Sequence, residues 1–176
     1  MADLRWLNAQ IASLGLPLAS WFAADCITRV LPYYEEKFPS DLRCRDSVAG
    51  LGEFLHGRSS LDHLHAAKQE AEAARWGAPT SSRAQIAASS IAVACSFDAQ
   101  LNSNACALAR RLSGDEQQWQ AERFWVFKQF TSQEPLRSVL RTTGRADRVT
   151  RLLPFIADSL YEVGYAPLTP DPLNDD

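Results

Sequence analysis

Both signs of charge crowd into one short stretch, where Asp41, Arg43, Arg45 and Asp46 stand almost side by side. Carboxylates beside guanidinium groups can do three kinds of work. They can form a structural ion-pair network, present a patch to a partner, or act as a tuned acid–base pair. Asp41 suits the positive end of a helix, but two arginines in a first turn oppose the macrodipole, so something else must hold them. The structural network is the first reading, a partner-binding patch through Asp41, Arg43 and Arg45 the second, and catalysis the third. Asp98 is the other displaced charge, since it stands alone in the run from Ala84 to Ala109. Burying an unpaired carboxylate costs several kcal/mol, so Asp98 must be paired, protonated or exposed at a helix break. Arg29, Arg43 and Arg45 are its candidate cations, and Asp25, Arg29 and Asp98 together are candidates for structural ion pairs. An enzyme would have to use Asp25, Asp98 and a nearby arginine in a cleft, and no motif supports one.

A third charged feature lies further along the chain. Arg137, Arg141, Arg145, Arg148 and Arg151 recur every three or four residues and form one stripe if the segment is a continuous helix. A solvated face is its first reading, and an acidic protein partner, through Arg137, Arg141 and Arg148, its second. Nucleic acid comes last, because the chain is acidic overall, with a formal net charge of −3. No phosphate loop, zinc motif or nucleophile elbow occurs, so no catalytic residue, metal site or cofactor is assigned. Cys26, Cys44, Cys95 and Cys106 lack metal-ligand spacing and read as reduced, buried thiols. His56, His63 and His65 read as surface or boundary residues.

The elements that must position these groups are helical almost throughout, since alternating strand patterns are missing. Helices are expected from Asp3 to about Ser13, from Pro17 to about Lys37 with a kink or split at Pro32, and from Asp41 to His56 closed by Gly57. A fourth, with a capping box from Ser59 to Asp62, runs to Trp76. The Ala/Ser-rich element follows from Pro79-Thr80, with a break expected between Asp98 and Asn104. A solvated helix would carry charge every turn, so this element must be enclosed by others. Ser113 and Glu116 form a second capping box ahead of an aromatic helix, in which Trp119, Phe124, Trp125, Phe127 and Phe130 suit the large-residue half of an alanine-rich core. A last amphipathic helix runs from Leu152 to Val163. The expected architecture is an all-α, compact bundle of about seven or eight helices around a central Ala/Ser-rich helix. Residues 1–165 read as a single domain, with an Arg-rich helical extension over 131–165 and a disordered acidic tail over 166–176. The N-terminus lacks a secretory pattern and no stretch is apolar enough to span a bilayer, which points to a cytoplasmic protein.

The phrases LPLASWFAADCITRVLPYYE and DLRCRDSVAGLGEFLHG, the helix containing EAARW, the Ala/Ser-rich run and WQAERFW together resemble the Imm-5-like immunity proteins over about residues 16–130. Trp21, Ala24-Asp25-Cys26, Arg29-Val30-Leu31 and Arg43-x-Arg45 carry the resemblance most strongly. Cys44 stands where that family tends to have proline, and the Ala-rich helix has Asp98 and no histidine. The resemblance implies an all-helical bacterial protein that neutralises a cognate toxin of a polymorphic toxin system by direct binding, without catalysis. The alternative is a small helical regulator that binds nucleic acid or an acidic partner through the Arg137–Arg151 stripe.

Overall fold

A computed structural model describes residues 4–134, 136–141 and 146–168, with only the backbone described at 146–148. Among these the chain forms nine α-helices: α1 (Arg5–Ser13), α2 (Leu18–Glu35), α3 (Arg43–Leu55), α4 (Leu61–Gly77), α5 (Arg83–Ala94), α6 (Ala99–Arg110), α7 (Gly114–Thr131), α8 (Leu136–Arg141) and α9 (Ala146–Glu162). No described residue lies in a strand.

Two helices share the centre. The Ala/Ser-rich α5 packs against α2, α3, α4 and α6, as an enclosed small-residue helix must. The other is α2, where every residue from Leu18 to Ile27 is buried, polar Ser20 and Asp25 included. Spacing alone suggests one apolar face on this helix. Its N-terminal half is in fact covered on all sides, by α1, α3, α5, α6 and α7. Alanines on α5 let the backbones approach, and Trp21, Phe22, Phe124 and Phe127 supply the bulk that fills the core.

The long small-residue run breaks where Asp98 begins α6. Asp98 accepts a hydrogen bond from Leu101 N–H at 2.8 Å, as an N-cap does. Buried Asn102 ties the other side of the corner, donating to the Ala94 and Ser96 carbonyls at 3.0 Å while accepting from Ser20 at 2.6 Å. The carbonyls at the end of α5 thus find a donor without leaving the core.

Other boundaries differ from sequence expectation for local reasons. Pro32 neither splits nor ends α2, because it lies on the exposed side, where water can serve the carbonyl left without its N–H partner. The cap of α4 is Ser60, which accepts from His63 N–H, and not Ser59. Ser113 does cap α7. Gly57, at φ +74°, ends α3 in the left-handed conformation, and a Cβ there would overlap the ring of Pro154 on α9. His56 is a correction, since it is buried between helices. Its Nδ1 lies 2.7 Å from the Gly52 carbonyl and its Nε2 3.0 Å from the Tyr161 hydroxyl, so it joins α3 to α9. All four cysteines are buried and free, and burial pushes the Cys44 and Cys95 thiols up to about 12.

Candidate partner-binding face

The charged residues singled out in the sequence fall into two groups. The first runs along α2, where Asp25, Arg29 and Tyr33 recur every four residues and face α7 in antiparallel order. Asp25 is fully buried. It accepts from Arg123 at 3.1 Å, from Leu168 N–H at 2.8 Å and from the Tyr165 hydroxyl. Burial raises its carboxyl above the ordinary range, against the opposing pull of Tyr165, Leu168 and Arg123. One turn on, Arg29 grips Glu116 through two 3.0 Å hydrogen bonds and lies over the Trp119 ring at 4.6 Å. Tyr33 then reaches Ser113 at 3.4 Å. This seam sets the register of α7 on α2. Glu116 and Arg123 belong to it but could not be paired with Asp25 and Arg29 from spacing, because about ninety residues of chain intervene. Asp98 is outside it, since it is exposed, caps α6 and forms no ion pair among the described residues.

The second group lies at one end of the bundle, where α2 and α4 finish and α3 and α5 begin. The turn through Pro39 and Ser40 reverses the chain, so that Tyr34 donates to Asp41 at 2.6 Å. Arg43 folds back on the same carboxylate, with Nη2 at 2.6 Å from Oδ2, Nε at 2.9 Å from Oδ1 and its backbone N–H at 3.1 Å. The Arg43 guanidinium, with Tyr34 helping, holds the Asp41 carboxyl well below its usual range. Burial and the Asp41 contact push the Tyr34 phenol up. Arg45 pairs with Glu35 at 2.6 Å. The two arginines that oppose the α3 dipole are therefore held by acids from the preceding segment, and the side chain sequence reasoning missed is Tyr34.

Around this cluster the surface is concave and partly apolar. A groove of about 660 Å3 is lined by Lys37, Phe38, Asp41, Leu42 and Arg43 among others. A second, of about 420 Å3, is lined by Tyr33, Glu36, Lys37, Ser82 and Arg83, so Lys37 stands between them. Leu42 is 50% exposed and Trp76 73%. Arg75 lies over the Trp76 ring at 4.8 Å, and Arg83 over the Tyr33 ring at 4.3 Å. Exposed tryptophan beside arginine is the composition that dominates binding energy at protein interfaces.

The arginine stripe is not one helix face. Arg137 and Arg141 are exposed on the short α8, and Arg141 meets Glu134 at 3.6 Å. Arg151 is exposed on the separate α9. Arg145 and the Arg148 side chain lie outside the described residues. Of the α7 aromatic side chains only Phe124 and Phe127 are fully buried, while Trp119 and Phe130 pack partly against the core. Trp125 is a correction to the core assignment, since it is 54% exposed and stacks on Trp6 at 6.0 Å. Among the described residues no helix is long and apolar enough to cross a membrane, and no three His, Cys, Asp or Glu side chains converge as metal ligands would.

Compared with known protein families, the chain matches the family described as Imm-5 like putative immunity protein over residues 17–125. No curated protein and no solved structure matches it. The matched span runs from the start of α2 into α7, so it contains the α2–α7 seam as far as Arg123 and the whole of the grooved end.

Proposed function

Because this chain belongs to the Imm-5 like immunity protein family, we propose that it neutralises a cognate toxin by binding it directly, with the grooved end of the bundle as the contact face. The observation that carries this reading is the exposed pair Leu42 and Trp76 beside the Asp41–Arg43–Tyr34 cluster. That cluster is already ordered by its own hydrogen bonds. A face fixed before contact loses little side-chain entropy on docking, and apolar anchors at its centre supply the energy. Neutralisation then comes from covering the toxin, and this chain performs no chemical step. The protein works in the cytoplasm of the cell that needs protection.

The test is co-expression in a surrogate host with the polypeptide encoded immediately upstream. Growth arrest relieved by this chain, and no longer relieved by a Leu42→Asp, Trp76→Ala double variant that melts like wild type, is the expected result. A double variant that protects fully would remove the face. A wild-type chain that fails to protect would remove the toxin-binding reading for that partner.

A further inference from the structure

The arginines at the grooved end are not equivalent. Arg43 and Arg45 are closed by Asp41 and Glu35, and elsewhere Arg29 and Arg123 are closed by Glu116 and Asp25. Arg75 differs. It forms no ion pair with a described residue, its Nε is covered without any hydrogen-bond acceptor, and its guanidinium plane rests on the Trp76 ring. The covered Nε is out of a partner's reach, but the two Nη groups are neither covered nor hydrogen-bonded to a described residue, and a carboxylate suits them best because it accepts from the guanidinium fork and supplies the missing counter-charge. Trp76 is the most exposed large apolar side chain described. Lys37 and Arg83 extend the open positive charge toward the second groove, with the exposed acids Glu36 and Asp46 beside them.

From these observations we infer that the partner places an acidic side chain on Arg75, against the edge of Trp76, and that this contact is the charged anchor of the interface. The inference rests on the toxin-binding reading above and adds the chemistry of the docking segment: a carboxylate next to an apolar group. The formal charge of −3 on the whole chain does not oppose it. At physiological ionic strength charges are screened beyond about 8 Å, so a carboxylate seated on Arg75 responds to that guanidinium and little to the net charge of the far side. The sequence draws attention to Arg43 and Arg45 for partner binding, but their charge is already spent inside the chain.

Two probes separate this inference from its premise. The first is the polypeptide encoded immediately upstream, titrated against purified wild type, Arg75→Ala, Arg75→Lys and Lys68→Ala. Lys68 lies two turns earlier on α4 and pairs with Glu72. Arg75→Ala is expected to weaken binding at least tenfold, Arg75→Lys to recover part of it, and Lys68→Ala to leave it unchanged, all at equal melting temperature. Equal affinity for wild type and Arg75→Ala overturns the inference and leaves toxin binding standing, whereas no binding by wild type overturns the premise. The second probe needs no toxin. A hexa-glutamate peptide at low ionic strength is expected to change tryptophan fluorescence in wild type but not in Trp76→Phe or Arg75→Ala, and a hexa-lysine peptide is expected to have no effect. An equal response to both peptides, or none to hexa-glutamate, overturns the acidic chemistry.

Discussion

Asp41 and Asp25 show how burial and partners decide the behaviour of one side-chain type. Asp41 is held by Arg43 and Tyr34, so its folded-state pKa is depressed. It therefore contributes stability above the unfolded carboxylate value of about 3.9, and loses that stability as pH falls through that value towards the folded one. Asp41→Asn is expected to cost about 1.5–3 kcal/mol at neutral pH, the worth of a charge-assisted hydrogen bond. Urea unfolding at pH 7 and pH 3 checks it, because the gap to wild type must narrow at the lower pH. An equal gap at both would assign the cost to packing. Asp25 has the opposite sign. Its folded pKa is raised, chiefly by burial, so its titration lowers stability as pH rises past the unfolded value. It is retained as the acceptor shared by donors from α7 and from the segment after α9, a role that a titration curve does not measure.

At the scale of the element, α5 and α6 explain why a run with so little charge is two helices. Asp98 caps one and Asn102 serves the carbonyl end of the other, so the break is built from polar side chains that would be costly inside a continuous buried helix. The alanines then decide how near α2, α3, α4 and α6 can come. Ala88 is fully buried and Ala92 nearly so, so Ala88→Leu and Ala92→Leu are each expected to destabilise by about 1–3 kcal/mol. Half-buried Ala99, at the start of α6, should tolerate the same change better. Thermal melts of the three variants check this order, and silence at both Ala88 and Ala92 would place α5 outside the core. The element boundaries were largely legible in the sequence, because caps, glycine stops and small-residue runs are properties of neighbouring residues. The Ser60 cap and the intact helix at Pro32 escaped for the same local reason. Ser59 and Ser60 are equally good caps until the chain chooses, and a proline is tolerated only when its face of the helix is exposed.

For the molecule as a whole, Asp25 joins the core to the chain's later part, because Tyr165, Leu168 and Arg123 converge on it from beyond α9 and from α7. Tyr165→Phe removes a single donor to a buried carboxylate and is expected to cost about 1–3 kcal/mol. Hydrogen exchange in α9 should quicken with it, and unchanged exchange there would mean that His56–Tyr161 and the Gly57–Pro154 contact hold α9 alone. The sequence by itself determined the helical class, most helix limits, the enclosed small-residue element and the family likeness, since each is written in short-range pattern. Only the tertiary structure decided which charges cancel. Arg29 finds Glu116, Arg123 finds Asp25, Arg43 and Arg45 are closed by neighbouring acids, and Arg75 is left open beside Trp76. The physical reason is that ion pairing and desolvation act through space over a few ångströms, and distance along the chain does not record which helices come that close.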